Sequence, residues 1–116
     1  MPPDPDRIRL QHMLDAAHSA LRFAKGRRRE DLDVDEMLTF ALTRALEVIG
    51  EAAGQVSAKV REEHPDIPWS LAVGMRHRLI HAYFDVDLNR VWDTTIHDLP
   101  ELVAKLESAL TLDPEL

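Results

Sequence analysis

The stretch MRHRLIHAYFDVD, residues 75–87, gathers Arg76, His77, Arg78, His81 and Tyr83 into a few turns of chain. Histidine is the side chain best suited to moving protons near neutral pH, and arginine is a permanent cation shaped for phosphoryl oxygens. Those are the parts that metal-independent RNA cleavage needs. A base takes the proton of a 2′-hydroxyl, an acid protonates the leaving 5′-oxygen, and a cation steadies the pentavalent phosphorane. The same residue types also make structural hydrogen bonds and ion pairs at helix interfaces. The His77-x-x-x-His81 spacing would suit a transition metal too, although no third and fourth ligands accompany it in the sequence. Residue types alone leave these alternatives open.

The elements that must position the cluster read as helices. Leu10, Met13, Leu14, Ala17, Leu21 and Ala24 recur at helical intervals, and Gly26 offers a stop. Arg27, Arg28 and Arg29 follow as a basic loop, either a solvated turn or part of a polyanion-facing patch. A second helix is predicted from an Asp33 cap, with Glu36 completing a capping box, through Leu38, Leu42, Ala45, Ile49 and Val60 to His64-Pro65. That run is about seven turns long. Within it Gly50 and Gly54 form a smooth strip for close helix approach, and Glu51 beside them is placed to face a neighbouring arginine. The prolines of HPDIPW end this helix, and a third is predicted from Pro68 or Trp69 to Phe84, containing the cluster. Asp87 would cap a fourth helix through Leu88, Val91, Trp92 and Ile96, and Asp98 with Glu101 a fifth through Leu110. No strand pattern competes. The expected fold is an all-α, up-and-down bundle of about five helices.

On a helical wheel with Arg76 at zero, Tyr83 falls at about −20°, His77 at about 100°, His81 at about 140° and Arg78 near 200°. Leu71, Met75, Leu79 and Ala82 cluster opposite, while Val73, Ile80 and Phe84 form a second apolar stripe inside the polar face. A two-fold partner would cover that stripe and bring two polar clusters together. A homodimer through the third helix is therefore expected. Arg78, pointing away from Arg76, is expected to pair with an acidic helix.

Bulk properties narrow the setting. At 116 residues the chain suits one domain over 1–116, with residues 1–6 and 112–116 expected to fray. It has no cysteine, which removes disulfides and thiolate metal sites. No apolar run is long enough for a bilayer and the first residues lack signal-peptide order, so a cytoplasmic protein with no membrane contact is expected. The formal charge of −7 argues against generic nucleic-acid coating, so any RNA contact must be local.

Arg76-His77-Arg78-Leu79-Ile80-His81-Ala82-Tyr83 matches an R-x4-H-x-Y motif, embedded in order among IPW, RLIH, YF and VD. From Arg44 to Leu102 the chain resembles the HepT-like HEPN proteins, ribonuclease toxins partnered by minimal nucleotidyltransferase antitoxins. The resemblance implies an all-helical HEPN homodimer whose cleft joins two motifs and cleaves RNA without metal or cofactor. It implies that Arg76 binds or polarises the scissile phosphate and that His81 is general base or acid. Tyr83 would accept AMP from the nucleotidyltransferase, which silences the toxin. His77 stands where many members carry asparagine and is assigned a supporting polar role, with Arg78 and Glu51 also set among the RNA-binding or supporting residues. An alternative in the same fold is a non-catalytic dimer that binds RNA or the nucleotidyltransferase.

Overall fold

The computed structural model describes residues 4–76, 80–82 and 85–112, with side chains across 4–76 and 86–111. Its helices are α1 (Pro5–Ala24), α2 (Asp31–Val34), α3 (Glu36–Gly54), α4 (Ala58–Glu63), α5 (Trp69–Gly74), α6 (Leu88–Asp93) and α7 (Leu99–Leu112). A π-helical turn, Thr94–Asp98, joins α6 to α7. Two short strands, β1 (Ile80–Ala82) and β2 (Asp85–Val86), pair antiparallel between α5 and α6. The fold is an all-α bundle with this one small strand pair. Long α1 packs on α3 and on α7, and Leu10, Met13, Leu42, Leu46, Ile49, Leu102 and Leu106 are fully buried between them.

The first helix forms as its spacing predicts. Asp4 caps it through the Asp6 amide, Pro5 occupies the first turn where its missing N–H costs nothing, and Gly26 turns the chain with φ of 74°. Pro5 and Asp6 are helical rather than frayed: the Asp6 carboxylate accepts hydrogen bonds from the Ser57 amide (2.8 Å) and hydroxyl (2.7 Å).

The predicted second helix is three elements. Asp33 lies inside the short α2, and Asp35 is the residue that caps α3, accepting from the Leu38 amide at 3.0 Å. Asp35 has a second reason to hold that place, because Arg27 donates to it at 2.7 Å and to Asp31 at 3.3 Å. At the other end Gly54 closes α3, and Ser57 caps α4 by accepting from the Val60 amide at 3.3 Å. Apolar spacing runs through the break because Val56 and Val60 both stay buried.

The Arg27 bond holds the Asp35 carboxyl below the usual carboxylate range, and the Arg28 amide does the same for Asp31. A lowered folded-state value contributes stability that is present above the ordinary carboxylate pKa and disappears as pH falls through the folded value. Both carboxylates are half-buried and still reached by solvent, so screening keeps the effect small. The difference in melting temperature between the wild type and Arg27→Ala should be full near pH 7 and shrink progressively as pH falls below the ordinary carboxylate range.

The largest departure from the wheel is the third helix. It starts at Trp69 as expected but ends at Gly74, where the Met75 and Arg76 amides close a tightened last turn on Leu71, Ala72 and Val73 carbonyls at 3.2–3.3 Å. Residues 80–82 are extended, and Ile80 stands opposite Val86 in β1–β2. Two β-branched residues facing each other favour that pairing, which also satisfies backbone groups that a longer helix would satisfy internally. Wheel positions assigned to Ile80, His81 and Ala82 on a continuous third helix therefore do not apply.

Asp87 caps α6, accepting from the Arg90 amide at 3.0 Å, as its place before the apolar run predicts. Asp98 is not a cap. It ends the π turn, which runs straight into α7, with the Leu99 amide reaching back to the Thr94 carbonyl.

Candidate functional site

Arg76 is positioned by contacts that begin in α3. A Cβ on Gly50 would lie 2.6 Å from the Arg76 amide nitrogen and 2.7 Å from its Cβ, so only glycine lets the backbone at Arg76 rest on this helix. Gly54 meets nothing within 4 Å, so the smooth strip read in the sequence has one working member. Behind the contact, Ala72 and Met75 are buried against the core, which fixes the last turn of α5.

The start of α5 is braced separately. Arg61 on α4 donates to the Ala53 carbonyl (2.9 Å) and the Val56 carbonyl (3.1 Å), covering acceptors at the end of α3, and its guanidinium lies 5.8 Å from the Trp69 ring centroid. Trp69 in turn donates its indole N–H to the His64 carbonyl at 2.9 Å. This Arg61–Trp69 link was not visible as a functional support in the sequence. A tryptophan directly after the second proline of HPDIPW was the available signal.

With both ends of α5 held, the Arg76 side chain is exposed. Other described arginines have partners: Arg9 with Gln55, Arg22 with Ser19, Arg44 with Glu47 and Glu51, and Arg7 and Arg90 with neighbours of their own. Arg27, Arg28 and Arg29 pair with Asp31 and Asp35, Glu30, and Asp33 respectively, which settles that run as a neutralised turn. The Arg76 side chain has no hydrogen bond or ion pair among the described residues. A guanidinium left unpaired at a defined place is available to a phosphate.

Glu51 does face an arginine, Arg44, at 3.4 Å. The His81 backbone lies in β1. His77, Arg78 and Tyr83 lie outside the described residues, as does the His81 side chain.

A cleft of about 650 Å³, lined by Met75 one residue before Arg76, opens between the end of α5 and the α6–π segment. Met75 and Leu71 contribute apolar lining, and Asn89, Asp93, His97 and Asp98 contribute polar groups. Nothing in the sequence reading anticipated it, because it depends on the π turn.

Residues 13–109 match the family described as Ribonuclease HepT-like. The chain is 45% identical to a protein of Thermococcus cleftensis named Probable ribonuclease HepT, over 67% of this chain and 71% of that one. It is 38% identical to a protein of Caldanaerobacter subterraneus subsp. tengcongensis that carries the name RNase, covering 87% of this chain and 90% of the relative. A Methanocaldococcus jannaschii protein likewise named as an RNase is 35% identical, with 87% and 84% covered. No solved structure gives a significant match. The chain belongs to the HepT-like ribonuclease family of HEPN proteins.

Proposed function

We propose that the chain is a metal-independent RNA endonuclease acting as the toxin of a pair whose other member is a minimal nucleotidyltransferase. The observation that carries this reading is Arg76: its backbone is seated on Gly50, and its exposed guanidinium has no partner among the described residues. Membership in a ribonuclease family, and relatives named as RNases, support the reading.

In the proposed reaction the 2′-oxygen of the substrate ribose attacks the adjacent phosphorus as a base removes its proton. The bond to the 5′-oxygen breaks, an acid protonates that leaving oxygen, and a 2′,3′-cyclic phosphate remains. Arg76 stabilises the charge that builds on the non-bridging oxygens, and His81 is the proton-transfer group. A homodimer supplies the second histidine. Exposed Val34, Met37 and Phe40, on α2 and α3 rather than in the region expected to form the dimer, give a separate apolar surface of the kind that association covers. His77 and Arg78 act as supporting polar contacts. Glu51, held by Arg44, supports the fold beside Gly50 rather than touching RNA. The domain is a single unit and works in the cytoplasm; no described helix is long and apolar enough to cross a membrane.

Tyr83 is the proposed acceptor of AMP. Its hydroxyl attacks the α-phosphorus of ATP, pyrophosphate leaves, and the phosphodiester so formed places an anion close in sequence to the arginine meant for substrate. Incubation with ATP and the nucleotidyltransferase should add one adenylyl mass to the wild type and none to Tyr83→Phe. Modified protein should lose RNA cleavage. An adduct on Tyr83→Phe would place the modification elsewhere.

The net charge of −7 favours the alternative of a non-catalytic dimer that binds RNA locally or binds the nucleotidyltransferase. That reading predicts tight association with no new RNA ends.

A further inference from the structure

We propose that the cleft between α5 and the α6–π segment is a nucleobase site, receiving one unpaired base of the RNA next to the phosphate held by Arg76 and preferring a base with an exocyclic amino group. This rests on the ribonuclease reading and names a substrate feature that the reading leaves open.

Position is the first argument. Met75, only 2% exposed, lies at the inner wall of the cleft and directly precedes Arg76 in the chain. A phosphate at Arg76 therefore has its neighbouring base within reach of the opening. At about 650 Å³, the open cleft has room for a nucleobase and falls in the usual range of small-molecule sites.

The lining is the second argument. Leu71 and Met75 offer an apolar surface for the face of an aromatic ring. The edge carries three carboxylates, Asp87, Asp93 and Asp98, against one cation, Arg90, and this net negative lining favours an uncharged heterocycle over a second phosphate. Carboxylates accept hydrogen bonds from amino groups, and His97 beside them adds a further polar edge contact. Asn89 complements these: its carbonyl oxygen accepts from Arg29 at 2.6 Å, which leaves its NH2 as a donor toward a base carbonyl or ring nitrogen.

Local geometry is the third. The wide turn at Thr94–Asp98 brings Asp93, His97 and Asp98 to the same cleft. In an unbroken α-helix residues five apart diverge by about 140°, so Asp93 and Asp98 would not share one wall. None of the three side chains has a hydrogen bond or ion pair among the described residues, whereas almost every described arginine is paired. These polar groups are thus open to an external partner.

The test uses the full-length protein and a labelled RNA pool, followed by four oligonucleotides that carry A, C, G or U at the position flanking the mapped cut. An amino-bearing base should be cut about tenfold faster than uracil, judged by kcat/KM. In Asp93→Ala and in Asp98→Ala that ratio should collapse toward one, with melting temperatures near the wild-type value. Loss of the ratio separates base reading from a structural role, which would lower all four rates alike. RNA cut with no base preference, or with a preference that both variants retain, would overturn the base site and leave the nuclease reading standing. A wild type that neither cuts nor binds the pool would overturn both.

Discussion

Arg76→Ala is expected to lower RNA cleavage by about 10²- to 10³-fold, the usual consequence of removing one group that stabilises transition-state charge. The structure gives two reasons to expect a loss of this size without a loss of fold. The side chain is exposed and makes no described bond that folding depends on. The Arg76 atoms nearest Gly50 are its backbone and Cβ, all of which alanine preserves. Circular dichroism and melting temperature should therefore match the wild type while cleavage falls. Arg76→Lys is expected to recover only part of the rate, because an ammonium keeps the charge but loses the two-pronged geometry. His81→Ala should lose about 10²- to 10⁴-fold, as expected for a general acid or base. Equal cleavage by wild type and Arg76→Ala would remove the arginine from the mechanism.

Gly50→Ala is expected to lower stability by about 1–3 kcal/mol, although alanine is the better helix former. The new Cβ would meet the Arg76 nitrogen at 2.6 Å, and the obstructing atoms are mainly backbone, so α5 must move away from α3. That movement carries Arg76 with it, so cleavage should fall in molecules that remain folded. Gly54→Ala is the matched control. Nothing lies within 4 Å of its Cβ position, so the same change four residues on should leave stability unchanged or raise it by up to about 1 kcal/mol. Opposite signs for the two substitutions, read from urea midpoints, would separate close approach from helix propensity. The same sign for both would contradict the contact at Arg76.

The sequence made the bundle legible because its apolar residues keep helical spacing, and the buried faces of α1, α3 and α7 follow that spacing closely. Breaks were harder to see. Val56 and Val60 remain buried on both sides of the α3–α4 junction, so periodicity continues where the backbone does not. Asp35 prevailed over Asp33 as a cap through a bond to Arg27, eight residues away in the chain. The helix ending at Gly74 was hidden for a related reason: Ile80, Ala82 and Val86 satisfy a helical wheel while also suiting extended pairing, and the strand partner decides between them. The stripe argument that set Tyr83 beside Arg76 depended on a continuous helix and no longer supports that placement. The motif itself, Arg76 with His81 and Tyr83, was readable from residue order. Its anchorage to Gly50 was readable only as a generic smooth strip, and the cleft not at all, because a π turn leaves little trace in apolar spacing.

Metal-independent cleavage is tested by incubating unmodified, mass-verified protein with end-labelled RNA in EDTA and reading the chemistry of the new ends. Metal-independent attack by the 2′-oxygen predicts fragments ending in 2′,3′-cyclic phosphate or its 3′-phosphate product, formed by wild type and lost in Arg76→Ala and His81→Ala. Intact RNA under these conditions, or fragments bearing 3′-hydroxyl ends, would contradict it.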